Sequence, residues 1–455
     1  MPERRRRRPQ VQRPADKPRV DPARLAAFEV LKAVRVDGAY TNLVLPHTLR
    51  RFDLSGRDAG FATELAAGTI RWQGTYDAVL ARCVDRNLAK VEAKVLDALR
   101  LGCHQLLAMR VPTHAAINTS VDLVRERANS GAAGFANAVL RKVAAHDLEG
   151  WQAELAPALD AVWSHPSWVV DALADALEAV GARGELADLL AADNVAPKVT
   201  LVARPGRVPR EEIPGEPTPF SPYGVVCDGG DPGAIPAVAA GAAGVQDEGS
   251  QLVAIAAAGV PIDGTDRVWL DLCAGPGGKA ALLAALAAHR GAGVVANEAQ
   301  QHRSGLVAAN LRGADGVIGV VTGDGTRPPF AGAGFDRVLV DAPCTGLGAL
   351  RRRPEARWRR TPADLVALTA LQTALLSNAI ELTRPGGIVV YATCSPVLAE
   401  TRGVIDEVLA RRDDIELVPV GLEIPESAGP IPGTVQLWPH RHHTDAMFIA
   451  ALRRR

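Results

Sequence analysis

The second half of this chain alternates short unbroken runs of Val, Ile and Leu with helix-length stretches, and few folds accept that alternation. Apolar runs at 268–272, 294–297, 317–321, 338–340 and 388–391 are separated by helical patterns at 280–288, 302–311 and 365–382. A strand buried on both faces reads as a continuous apolar run. Strand, turn and helix repeated in this way predict a doubly wound, Rossmann-like α/β sheet over 245–455. Such sheets bind ligands at the carboxyl ends of their strands. The residues directly after each run are therefore the candidates for function.

The sequence upstream is organised differently. Asp21-Pro22 is a helix N-cap and first-turn pair, and Leu25, Phe28, Leu31 and Val34 mark one apolar face ended by Gly38. Further helical patterns at 60–69, 76–83, 91–107, 117–128 and 135–143, without strand-like alternation, predict an all-α domain over 21–148. The stretch 149–244 begins helical, near 168–190, and turns rich in Pro and Gly, with β-like pieces at 198–203 and 224–227. It predicts a small α+β linking module. Residues 1–20 open with Arg4 to Arg8 and then Pro-rich sequence, a composition that cannot bury apolar surface and predicts a disordered basic arm. That arm suits either phosphate attraction or simple solubility.

Lys+Arg and Asp+Glu both number 51, so net charge points to no partner. No apolar run looks long and uncharged enough to span a membrane, and no secretory signal follows the arginines. The six cysteines form no CxxC pair and show no zinc-ligand spacing. No metal is expected, and free thiols fit a cytoplasmic chain.

Four segments after the strands carry chemistry. The first is Cys273-Ala274-Gly275-Pro276-Gly277-Gly278-Lys279, between a strand and a helix. Its spacing fails the G-x-G-x-x-G dinucleotide pattern. It fails the phosphate loop too, with Cys273 where that loop needs Gly and Ala280 where it needs Ser or Thr. The reading left is a loop packed on the methionine part of S-adenosylmethionine, against an ordinary Gly-rich turn. Glu298, after the second strand, can accept both ribose hydroxyls of such a cofactor. Asp324, after the third, can meet an adenine amine or cap a turn.

The other two segments are Asp341-Ala342-Pro343-Cys344-Thr345-Gly346 and Thr393-Cys394-Ser395-Pro396. Two cysteines at neighbouring strand ends can be core residues, a disulfide or metal ligands. Their place beside Pro and Gly, in a reducing compartment and without further ligands, favours nucleophilic catalysis. A thiolate added to C6 of cytosine turns the ring into an enamine that can attack a methyl sulfonium. Just past Asp341 lie Arg351, Arg352, Arg353, Arg357 and Trp358; a solvated helix is the alternative, but their position beside the cysteine loops favours an RNA-binding patch.

On these motifs, with 245–251 (Val-Gln-Asp-Glu-Gly-Ser-Gln) ahead of them, the sequence resembles the Nop–Sun family of RNA cytosine-C5 methyltransferases. It is most similar to the bacterial RsmB (Sun/Fmu) branch, which acts on small-subunit (16S) ribosomal RNA. The helical region resembles a NusB-like RNA-binding domain through 58–65, 68–71, 111–118 and 135–141, and Ser164-His165-Pro166-Ser167-Trp168 resembles the join after it. The resemblance implies Cys394 as the nucleophile at C6 and Cys344 as the cysteine that helps release product. It implies Asp341 as a hydrogen-bond partner of the cytosine that supports protonation at N3. It further implies a cofactor site of residues 273–279 with Glu298, Asp324 and Asp341, and Lys279 also facing the base. The chain departs from the family at Gly275, where a second Ala is usual, at Thr345, where Ser is usual, and at 444–448. None of these changes removes a reacting group.

The expected cofactor is S-adenosylmethionine, and the expected partner is RNA, ribosomal RNA first, bound by a monomer. Transfer RNA is the alternative substrate. A non-catalytic RNA-binding assembly or antitermination factor is the alternative class, opposed by the retention of Cys344, Cys394 and Asp341.

Overall fold

The computed structural model describes residues 20–455, so the arm expected over 1–20 lies, but for Val20, outside the described residues. They form two compact units. The first comprises the described residues up to Ala39, with Val44–Thr69 and Val79–Trp151; the second comprises Tyr40–Leu43, Ile70–Ala78 and Gln152–Arg455.

The helices that supply the first unit are α1 (Pro22–Val36), α2 (Thr41–Arg51), α3 (Gly56–Arg71), α4 (Gln73–Cys83), α5 (Ala93–Leu107), α6 (Thr113–Arg127), α7 (Ala133–Val143) and α8 (Leu148–Leu155). Asp21 caps α1, its carboxylate accepting from the Arg24 N–H at 3.1 Å. The chain leaves α1 through Gly38 at φ +62°. Helix α2 was not legible because Pro46 lies inside it, and an interior proline reads as a breaker. Leu99, Leu101, Leu123 and Leu140 from α5, α6 and α7 are buried.

The second unit continues with α9 (Leu159–Val162), α10 (Ser167–Glu178) and α11 (Leu186–Ala192). The single helical stretch expected near 168–190 is two helices, separated where Gly181 takes φ +72°. A four-stranded antiparallel sheet follows: β1 (Thr200–Ala203), β2 (Glu216–Pro217), β3 (Gly224–Val226) and, after α12 (Pro236–Ala239), β4 (Ala243–Val245), in the order β2-β3-β1-β4.

After α13 (Glu248–Gly259) the large sheet is built. Its parallel strands are β5 (Val268–Asp271), β6 (Gly293–Glu298), β7 (Val317–Thr322), β8 (Phe335–Asp341) and β9 (Thr383–Thr393). The helices between them are α14 (Gly278–Ala288), α15 (Gln301–Asn310), the short α16 (Ala356–Arg359) and α17 (Pro362–Leu382). The remainder is α18 (Arg402–Arg411), β10 (Ile415–Val418), β11 (Val435–Gln436), α19 (Pro439–His442) and β12 (Phe448–Arg454). The strand order is β10-β12-β9-β8-β5-β6-β7, with β11 on β12. All five expected parallel strands are present, but β10, β11 and β12 join antiparallel. Arginines at the end of β12 and the two-residue length of β11 hid them from an apolar-run reading.

The strands separate two cores with a period of two. Leu339, Val390 and Ala392 face α13 and α14, while Val338, Val340, Val389 and Tyr391 face α17 and α18. Helix α17 is long and apolar enough, by length and composition, to cross a membrane, which corrects the expectation that no stretch is. Its Leu375, Leu376, Ala379, Ile380 and Leu382 are buried against the sheet. Each large apolar side chain so buried contributes about 1.5–3 kcal/mol.

Candidate active site

The parallel order reverses between β5 and β8, the switch point at which such sheets open a crevice. The loop leaving β5 turns into α14 through Gly277 at φ +113°, where an added Cβ would come within 3.0 Å of Val307 Cα. Asp271, fully buried, accepts from the Cys273 N–H at 3.3 Å through Oδ1, while Oδ2 has no partner. Burial, then the facing Asp341, pushes its carboxyl up to about 7. Burial likewise pushes the Cys273 thiol up.

Glu298 ends β6 and is buried. It accepts from the Gly275 N–H and the Gln300 N–H, both at 3.0 Å. Gly275 is the family departure, and a Cβ there would lie 2.1 Å from Glu298 Oε2. Sequence reasoning missed Asn297, whose amide donates at 2.9 Å to both Leu272 O and Gly323 O and so ties the β5 and β7 loops together. An Asn inside an apolar run, followed by an acid, was the available signal. Asp324 is exposed and accepts from the N–H and hydroxyl of Thr326, both at 2.8 Å, which holds its carboxyl below the usual value. In this structure it caps a turn.

The donor set can be tested against a cofactor. A phosphate needs converging donors. Here the unpaired buried atoms Asp271 Oδ2 and Asn297 Oδ1 are acceptors, beside the Glu298 carboxylate. Lys279, the one lysine of the loop, is taken by Asp341 at 2.8 Å and by the Ser250 hydroxyl at 2.9 Å. An acceptor-rich cradle with glycine clearance fits the amine and hydroxyl groups of S-adenosylmethionine.

The two cysteine loops leave adjacent strands β8 and β9, and Cys344 Sγ lies 3.4 Å from Cys394 Sγ. This contact depresses the Cys394 thiol below its ordinary value, against burial and Asp341, with Arg353 and Lys279 assisting. The same contact and burial push Cys344 up. Either sulfur can donate across this contact, and Cys394 is the more acidic of the two. Burial opposes the Lys279 ammonium, but Asp341 outweighs it and raises its pKa. Behind the loops, Glu400 is fully buried. It accepts from the Thr345 N–H at 2.7 Å, the Thr345 hydroxyl at 2.5 Å and Gln372 Nε2 at 3.0 Å. The sequence reading did not single out Glu400, six residues past Cys394 in a segment without periodicity.

The expected RNA patch is corrected by burial. Arg357 is fully buried, donating to Ser164 O at 2.9 Å, Asn194 Oδ1 at 2.8 Å and Asp193 O at 3.3 Å. Burial depresses its guanidinium to about 10. Arg351 is buried and donates to His443 O at 2.7 Å. Trp358 is half-buried, donates to Ile70 O at 3.4 Å and fills the space over Gly74. Arg352 is paired with Asp445. Arg357 and Trp358 are turned inward from the short α16, and Arg351 and Arg352 ahead of it are taken by His443 and Asp445. Of the five, Arg353 is exposed, near the ring of Tyr40.

A Rossmann-like sheet with this cradle at its switch point defines a methyltransferase domain that uses S-adenosylmethionine. The family described as 16S rRNA methyltransferase RsmB/F matches residues 262–453, and the NusB family matches residues 21–145. A Mycobacterium tuberculosis protein is 52% identical over 96% of this chain and 97% of its own. The ribosomal RNA small subunit methyltransferase B of Pseudomonas syringae is 33% identical over 85% of this chain and 86% of its own. Among solved structures, PH0851 shares the fold with a TM-score of 0.76 at 22% identity, covering 96% of this chain and 100% of that one. NSun6 from Pyrococcus horikoshii, solved with SFG, gives 0.53 at 18% identity, covering 62% of this chain and 97% of that one. The chain belongs to the RsmB/F methyltransferase family, of Sun/Fmu type, with an N-terminal NusB domain.

Proposed function

We propose that this chain methylates C5 of a cytosine in small-subunit ribosomal RNA through a covalent bond between Cys394 and C6 of the base. The observation that carries the reading is the thiol pair, its sulfurs 3.4 Å apart at the ends of adjacent strands, with the Cys394 thiol depressed by the Cys344 contact. A thiolate is the nucleophile such an addition needs.

The Cys394 thiolate forms a bond to C6, and the C5=C6 electrons move toward C5 and the ring. Asp341, at the end of β8, hydrogen-bonds the base and supports protonation at N3. Lys279, held 2.8 Å from Asp341, keeps a positive charge beside that carboxylate. S-adenosylmethionine, when bound by the 273–279 loop and Glu298, supplies an electrophilic methyl group for C5. Once Cys394 is a thioether, its contact, the largest of the causes that hold the Cys344 proton, is gone. Cys344 gives its proton to solvent and, as thiolate, takes the hydrogen from C5, while N3 gives up the proton it gained. The C6–S bond breaks, C5=C6 is restored, and Cys394 returns as thiolate. The NusB domain is assigned to RNA recognition, Arg353 to a contact near the site, and the cytoplasm to the chain as its compartment.

The test is transfer of labelled methyl from S-adenosylmethionine to unmodified small-subunit ribosomal RNA. Wild type should label cytosine, Cys394→Ala should be inactive, and Cys344→Ala should accumulate a protein–RNA adduct. Labelling of transfer RNA instead would retain the chemistry and remove the substrate assignment. Normal labelling by Cys394→Ala would remove the covalent mechanism.

A further inference from the structure

Away from the thiols, a cavity of about 290 Å³ lies between the loop leaving β1 and the C-terminal half of α14. Ala285 and Ala288 line it along the helix, and Arg204, Arg207, His289 and Asp315 supply its polar groups. The two arginines are out of balance with their surroundings. Arg204 is 4% exposed. Its Nη1 donates to Gly241 O at 2.7 Å and Asn310 O at 3.0 Å, but its Nε has no partner. Arg207 Nη1 is closed to water and also has no partner. Among the described residues neither guanidinium is ion-paired; burial and then Arg207 itself depress the Arg204 pKa.

Buried donors without acceptors are costly, and buried charges without counter-charges more so. Both arginines line the one cavity, and planar forks of N–H groups match phosphate oxygens. The volume exceeds what a bare ion needs and falls near the lower end of ligand-sized pockets. Asp315, exposed, cannot serve a phosphate, but it can accept from a sugar hydroxyl. Arg204 links the cavity wall to the cofactor loop through Asn310, whose carbonyl accepts from Arg204 at 3.0 Å and whose side-chain amide donates to Pro276 O at 2.9 Å.

We propose that this cavity is a phosphate-binding site, and that its occupant is a backbone phosphodiester of the RNA substrate held by Arg207 and Arg204. The choice of RNA as source rests on the function proposed above; the anion site does not. Arg207 is the residue to change, because it holds no partner whose loss would unfold the chain.

Binding of a small-subunit ribosomal RNA fragment to the full chain would be measured across salt concentrations for wild type, Arg207→Gln and Arg207→Lys. Arg207→Gln should weaken binding several-fold and make the slope of log K against log salt shallower by about 1. Arg207→Lys should restore most of the slope, and affinity for S-adenosylmethionine should be unchanged in all three. In parallel, melting temperature would be compared in inorganic phosphate and in chloride at matched ionic strength. Phosphate stabilisation of wild type but not of Arg207→Gln, with an unchanged RNA slope, would keep the anion site and overturn RNA as its source. If the chain binds no ribosomal RNA, the function proposed above fails, and the phosphate measurement still decides the site. If neither the RNA slope nor the phosphate response depends on Arg207, the proposal is overturned.

Discussion

Removing Glu400 tests whether the reactive thiols are placed by a buried carboxylate. Glu400→Ala removes the acceptor of three donors. Two of them have alternatives: the Thr345 hydroxyl can turn to Ser395 Oγ at 3.1 Å, and Gln372 Nε2 keeps Pro343 O at 2.8 Å. The Thr345 N–H has none and stays unpaired in the interior, at a cost of about 1–3 kcal/mol. The emptied side-chain volume adds to it, so the expected loss of stability is about 2–4 kcal/mol. Glu400→Gln can still accept from Thr345 N–H while its amide donates to the Thr345 hydroxyl, and should cost about 1 kcal/mol. Denaturant unfolding gives both values. Iodoacetamide kinetics against pH report the second consequence: with the 343–345 loop released, the Cys394 thiol should titrate closer to its ordinary value in Glu400→Ala and nearly as wild type in Glu400→Gln. A loss under about 1 kcal/mol in Glu400→Ala, or an unchanged alkylation profile, would show that the loop holds its shape without this carboxylate.

Three further outcomes are expected. Arg357→Ala should lower stability by about 3–5 kcal/mol, since it strips a buried hydrogen-bonded cation from its acceptors; the salt slope of RNA binding should stay unchanged. Gly277→Ala should abolish S-adenosylmethionine binding in calorimetry, because φ +113° and the contacts with Val307 and Asn310 leave no place for a methyl group. The third concerns pH and Asp193, fully buried, whose carboxyl burial raises to about 7. The folded state keeps a proton there that the unfolded chain releases above about 4, so this group makes stability fall as pH rises from about 4 to about 7. Asp193→Asn should lack that fall, gaining on wild type in urea midpoints at pH 8 relative to pH 5.

The parallel sheet and both cysteine loops were legible because buried strands and their glycine- and proline-bounded exits leave local marks. What escaped was set by long-range packing. Arg357 and Glu400 look like ordinary surface charges in sequence, yet their partners Asn194 and Thr345 are far away along the chain. A charge run shows where cations are but not whether they face water, so the patch 351–358 read as an RNA surface while most of it is internal. The antiparallel strand β10 pairs with β12, and β12 with β9 and β11, and no turn signal joins them. Asp324 was readable as either cofactor ligand or turn cap, and Thr326, two residues on, supplies the cap.

The distance between the two reactive sulfurs is a property of the sheet. Strands β8 and β9 run in unbroken register from Arg337↔Ile388 to Asp341↔Ala392, and their one irregularity lies at the opposite end, between Phe335 and Arg337. Neighbouring strands keep a fixed separation of about 4.8 Å, so the backbone acts as a ruler and Cys344 and Cys394 are two marks just past its edge. Residues inserted in the connection between α16 and α17 would lengthen the detour between the marks and leave their spacing alone. A single residue inserted in β8 near Val340 would shift one mark against the other and turn every side chain beyond it to the opposite face. Variation in length is thus cheap between the strands and forbidden within them.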